Sequence, residues 1–265
     1  MRASFVVLIS LALGACHAEA PVTFSLGTPP GTVEVATRHR LSAHLTIGVG
    51  EDVDEQPLDS EASQRARVEW RERASVVRWL EHPSLAGRSF SVEGGEARAL
   101  DDGAPLSGDE AGDTTAAAAV ALGPDALQVA LLRRPLRLRE SAPHLDTAFA
   151  ALARRALGPS VSVEHASLRL QAATDAVAVF SATLVTVTRA GAVTLRAPLY
   201  GSLEVRRADT LPLALTLEGP VEVSSQTMED APGVSGLGTL VLSRRVTVLA
   251  GAADEAPVRS AMLQR

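Results

Sequence analysis

The feature that most constrains this chain is the length of its period-two runs. Across residues 192–206, Val193, Leu195, Ala197, Leu199, Leu203 and Val205 alternate with Thr194, Arg196, Tyr200, Ser202, Glu204 and Arg206. Successive side chains of a strand point to opposite faces, so such a run reads as one strand of roughly 50 Å at about 3.3 Å per residue. Ordinary strands have only about 5–6 residues. One-sided alternation implies antiparallel pairing with one face in water. A flat sheet of such strands is hard to cover from one side, whereas a sheet curved toward a barrel wraps around its own core. The chain is therefore expected to be mainly β (α+β): a long antiparallel curved sheet or half-barrel with a small helical insert packing on it.

The same pattern organises most of the sequence. Val33, Val35, Leu41, Ala43, Leu45, Ile47 and Val49 alternate with polar residues, as one very long strand or two in tandem. Residues 51–63 (EDVDEQPLDSEAS) are acidic and read as a turn or loop. A second run places Ala66, Val68, Trp70, Ala74 and Val76 on one face, and a short strand is expected at 88–92. Residues 101–115 read as loop. Helical periodicity is confined to the middle, over 115–122, 124–132 and, most clearly, 141–157. There Ser141 can cap, Pro143 suits the first turn and Gly158 suits the end. Leu145, Phe149, Leu152 and Ala156 then form one stripe that must be buried. From Gly158 onward five strands are expected, at 161–171, 176–188, 192–206, 211–223 and 237–249. Pro198, Gly201, Pro212, Gly219 and Pro220 mark bends or edges.

The amino end reads MRASFVVLISLALGAC. Arg2 is followed by an apolar run over 5–13 that is too short to cross a bilayer, which takes roughly 20 residues. Charge, length and small-residue ending match a secretory signal. Leu13, Gly14, Ala15 and Cys16 resemble the lipobox of bacterial lipoproteins. That resemblance implies diacylglycerol on the Cys16 thiol, cleavage before Cys16 and acylation of the new amino group. Cys16 is the only cysteine, so no internal disulfide can form. His17 follows it, and the lack of Asp there implies, by resemblance to lipoprotein sorting, the outer membrane facing the periplasm. The expected segments are a signal peptide (1–15), a lipidated tether (16–30), a β-rich domain (31–250) with its helical insert at about 115–158, and a tail (251–265). Loss of residues 1–15 leaves 250 residues and moves the formal charge from −6 to −7, since only Arg2 is removed. All 25 basic residues are Arg, and no basic stripe suggests nucleic-acid binding.

No Gly-x-Ser-x-Gly elbow, P-loop or His-Glu-x-x-His pair occurs. His39 and His44 are five apart in a strand and so face opposite ways. His39 lies on the apolar face, where a hydrogen-bonded core histidine is expected. Asp101, Asp102, Asp109, Glu110 and Asp113 lack EF-hand spacing and read as a solvated loop. Gly233, Gly236 and Gly238 read as turn and strand-start glycines. Trp70 is expected in the core, while Trp79 is either core past a bulge or exposed. Two charges interrupt apolar faces: Glu72 within Trp70–Ala74, and Arg244 within Leu242–Val246. They are either a buried polar pair anchoring a ligand cavity or charges that reach water at a bulge or sheet mouth.

The order of long hairpin, helical insert and long-stranded meander resembles the half-barrel periplasmic proteins that carry lipoproteins or lipids. The segment LAGRSFSVEGGEARALDDG at 85–103 is similar to uncharacterised lipoproteins of GC-rich bacteria, as is RPLRLRES at 134–141, except that Arg139 stands where glycine is expected. The expected function is that of a non-enzymatic, lipid-anchored envelope protein, without cofactor or metal, binding an apolar or lipid-like ligand. The alternative is a scaffold lipoprotein with a filled core and protein partners.

Overall fold

The computed structural model of the chain describes residues 20–27, 31–49, 52–71, 74–118, 126–140, 142–157, 161–225 and 233–249. A hairpin of two very long strands, β1 (Thr32–Val49) and β2 (Asp52–Trp70), comes first. Three shorter strands follow: β3 (Ser75–Glu81), β4 (Ser89–Glu93) and β5 (Glu96–Ala99). Then come three helices, α1 (Gly108–Ala118), α2 (Ala126–Leu132) and α3 (Pro143–Leu157). Five long strands complete the fold: β6 (Val161–Ala173), β7 (Val177–Ala190), β8 (Val193–Arg206), β9 (Pro212–Ser225) and β10 (Gly233–Leu249). All ten strands form one antiparallel, curved and unclosed sheet in the order β5-β4-β3-β2-β1-β10-β9-β8-β7-β6. The first and last long strands, β1 and β10, are neighbours in register from Thr32↔Leu249 to Gly48↔Gly233 and join the two halves.

The pairing of the curved sheet is locally interrupted between β8 and β9. The gap lies between Arg196↔Glu222 and Tyr200↔Glu218 and holds Pro198 and Pro220, which have no N–H to donate. Beside it the backbones approach so closely that a methyl group on Gly201 would overlap the Thr216 carbonyl, and one on Gly219 the Pro198 carbonyl. Pro198, Gly201, Gly219 and Pro220, four of the five positions expected as bends or edges, lie in or beside this interruption. Gly236 and Gly238 lie inside β10 rather than before it, because β1 passes close to both.

Four expectations change. Residues 52–63 of the expected loop are strand, since β2 starts at Asp52 and pairs with β1 throughout. β3 pairs with β2 only from Arg65 to Trp70, so residues 52–63 form a sheet edge with both faces largely in water. Such a segment needs no apolar face, tolerates Pro57, and carries acidic residues that oppose pairing with another edge. The run over 66–76 is a hairpin instead of one strand. It turns where the Arg71 N–H donates to the Ala74 carbonyl (2.9 Å). That turn returns Val77 and Trp79 to the face of Val68 and Ala66, and a bulge follows at Arg65/Ala66. Trp79 is buried and Trp70 partly so. The helical insert begins at Gly108, within the expected loop, and Asp109 and Glu110 in its first turn suit the positive end of the helix dipole. Finally, residues 22–25 are docked instead of free tether. Val22 and Leu136 exchange backbone hydrogen bonds of 2.7 and 2.9 Å, the Ser25 N–H donates to the Arg207 carbonyl (3.0 Å), and Phe24 stacks on Phe180.

The convex face is polar. It carries exposed ion pairs such as Arg38–Glu61 and Arg65–Glu81, both at 2.8 Å, worth about 0–1 kcal/mol each. Arg139 adopts φ +58°, the left-handed region that favours glycine, the residue expected there. Gly201→Ala should cost about 3 kcal/mol in chemical denaturation, as overpacking without room to relax. Gly112→Ala, in α1 and facing open space, should change stability by no more than about 1 kcal/mol. Equal effects would contradict the account of the bend.

Candidate ligand cavity

The apolar face of the sheet is concave, and two separate cores form on it. Beneath α2 and α3, residues Leu145, Phe149, Leu170, Phe180, Leu199 and Leu203 pack as one cluster. Asp146 reinforces it by accepting the Leu168 N–H (2.8 Å), which ties α3 to β6. Beneath α1, residues Val35, Val68, Val77, Trp79, Phe90 and Ala118 form the other. Between α1 and α3 lies a cavity of about 550 Å³. One wall is apolar, made by Leu184 of β7, Leu215 and Leu217 of β9, Leu242 of β10 and Leu157 of α3. Partly buried Leu41, Leu45 and Leu240 continue the apolar surface along β1 and β10.

The other wall is polar and belongs to α1 and the strands under it. Thr37 of β1 has Gln64 and Arg244 as its register partners, so one row crosses β2, β1 and β10. Asp113 on α1 accepts from Gln64 Nε2 (2.8 Å) and from His82 Nε2 (3.1 Å) at the same oxygen, Oδ2. The His82 tautomer follows from its other nitrogen. Nδ1 lies 3.2 Å from the backbone N–H groups of both Ser84 and Leu85 and accepts from them, leaving the proton on Nε2. Trp79 Nε1 donates to Thr114 Oγ1 (3.1 Å), and Arg244 Nη2 donates to the Ala116 carbonyl (2.9 Å). Four polar contacts therefore hold α1 to the sheet, whereas its buried residues are only Thr114, Ala117 and Ala118.

Of the residues singled out from the sequence, Cys16 and Glu72 lie outside the described residues. Arg244 faces the cavity and fixes the carboxyl end of α1. His39 also lines the cavity instead of sitting in a packed core. Burial pushes its imidazole below the usual range, and the Asp113 charge partly offsets this. His44, on the opposite face, is exposed. The acidic stretch supplies Asp109 and Asp113 to the cavity wall. Among the described residues no cluster of three or more metal-ligating side chains occurs. Gln64 and His82 were not singled out by sequence reasoning, and Asp113 was named there only as part of a solvated acidic loop. The available signal was the spacing of Asp109 and Asp113, four apart and so on one face of a helix.

No protein-family model matches the chain, and no curated protein is similar to it. Several solved structures superpose in part, among them the following three. A LolA superfamily protein from Nitrosomonas europaea has 12% identity over 86% of this chain and 91% of that one, with a TM-score of 0.20. Lipovitellin, in a structure concerned with lipid–protein interactions, has 8% identity over 84% of this chain and 26% of that one, at 0.30. The attachment invasion protein Ail of Yersinia pestis has 9% identity over 81% and 99%, at 0.12. None of these superpositions is close enough to bear on what the cavity holds.

The His39 environment has a consequence for stability. A histidine whose folded pKa is depressed stabilises the fold above its unfolded value of about 6.5, and that contribution is lost as pH falls below it. His39→Gln should therefore gain stability relative to the native chain as pH is lowered from about 7.5 to about 5, the range spanning the imidazole pKa. Urea midpoints of the two proteins at several pH values measure this. A pH-independent difference would remove His39 as a buried neutral group.

Proposed function

We propose that this chain is a membrane-anchored, non-catalytic envelope lipoprotein that binds an apolar, lipid-like ligand in the cavity between α1 and α3. The observation that carries the reading is the cavity itself. Its volume of about 550 Å³ falls within the roughly 300–1,000 Å³ of ligand sites, and a leucine wall faces a small set of polar groups. This favours a ligand-holding interior over the filled core of a scaffold. Gln64, His82 and Arg244 are engaged in fastening α1, and no nucleophile–base pair lines the cavity among the described residues, so binding without chemistry is the simpler use. The anchor and the outer-membrane location rest on the sequence, on the lipobox ending at Cys16 and the absence of Asp after it.

Native mass spectrometry of the protein extracted from its own envelope tests both parts. The expected result is an acylated amino-terminal Cys16 and a second, non-covalently held lipid. Leu215→Trp, which grows into the cavity, should remove the second lipid and leave the first. A mature amino terminus elsewhere would sink the anchor. Loss of neither lipid in the variant would sink the cavity as the binding site.

A further inference from the structure

The polar wall has a sign. Among the described residues its charged side chains are Asp109 and Asp113 on α1 and Arg244 on β10, two negative charges against one positive. The positive one is directed to the Ala116 carbonyl (2.9 Å). Asp113 uses only Oδ2 for Gln64 and His82. Its Oδ1 takes no hydrogen bond from the described residues, and the side chain is 39% exposed at the cavity. Thr37 and His39 stand beside it on β1 as uncharged polar neighbours. An amphiphile with its chain against Leu184, Leu215, Leu217 and Leu242 would place its head group at this wall. In a half-enclosed site with an apolar side, charge interactions are stronger than in open water. An anionic head would meet an excess of negative charge there, while a head that donates hydrogen bonds would meet an unused carboxylate oxygen.

Resting on the ligand reading above, the geometry points to a cavity that selects amphiphiles with a hydrogen-bond-donating, non-anionic head, an ammonium or a polyol, and disfavours carboxylates and phosphates. Asp113 is the residue that sets this preference, and Asp109 adds to it through charge alone.

Three probes with one chain length test this: dodecylammonium, dodecyl maltoside and dodecanoate, each below its micellar concentration, followed by calorimetry and by tryptophan fluorescence in a Trp70→Phe background, where the signal comes from Trp79 at the cavity wall. The expected result is that dodecylammonium and dodecyl maltoside bind at least about tenfold tighter than dodecanoate, or about 1.4 kcal/mol. Asp113→Asn keeps a carbonyl oxygen for Gln64 and His82. It should bring dodecylammonium and dodecanoate to within about threefold of each other, about 0.65 kcal/mol, and leave dodecyl maltoside binding in place. Asp109→Asn, at an exposed position in the first turn of α1, should narrow the preference in the same direction if the first variant does not fold. Dodecanoate binding as tightly as dodecylammonium to the native chain would overturn the head-group inference while the apolar-ligand reading stands, as would a preference untouched by either variant. A folded chain that binds none of the three overturns the ligand reading and this inference with it.

Discussion

A ten-stranded sheet with one apolar face must hide that face, and everything else in the structure follows from how incompletely three short helices can do so. At about 1.5 Å per residue the 15 residues of α3 span roughly 22 Å, and the 17 residues of β10 extend roughly 56 Å at about 3.3 Å each. Curvature makes up part of the difference by turning the sheet's own leucines and valines toward one another. The glycines and prolines of β8 and β9 suit that curvature, and the β1–β10 pairing joins the two halves of the sheet. Part of the surface that stays uncovered lines the cavity between α1 and α3.

The two sides of the cavity are built by different forces. Leu145, Phe149 and Ala153 seat α3 on the sheet by apolar burial, at roughly 1.5–3 kcal/mol for each large side chain fully buried. With Thr114, Ala117 and Ala118 as its buried residues, α1 has little apolar surface to contribute. Its seat depends on Asp113, Thr114 and the Ala116 carbonyl meeting Gln64, His82, Trp79 and Arg244. Neutral hydrogen bonds of this kind contribute about 0.5–1.5 kcal/mol each, and those to charged groups about 1.5–3. A polar fastening next to a leucine wall is what makes the cavity amphipathic.

Much of the sheet was legible because burial writes itself into a strand as period two. The strands β1, β8, β9 and β10 alternate over most of their length, since one face of each meets the core and the other meets water, whereas two bulges interrupt the period of β6. The first half of β2 was illegible for the same reason: as an edge wet on both faces it has no period to show, and its register comes from β1. Placing α1 was obscured by Gly108, Gly112, Asp113 and two threonines, which have low helix propensity, and its seat on the sheet lies in pairings more than thirty residues apart in sequence. Arg244 was visible as a charge on an apolar face. Its use, capping the carbonyl end of a helix 128 residues away in sequence, was not. The cavity itself has no sequence signature, because it is the space left over between two cores.

The central claim is that this space is open and receives an apolar chain. A crystal structure of the chain with a terminally brominated alkyl amphiphile tests it directly through the anomalous signal of bromine. The account predicts a bromine peak among Leu184, Leu215, Leu217 and Leu242, with α1 still joined to Gln64 and His82. Leucines collapsed into a filled interior, or bromine bound only on the convex face, would contradict it.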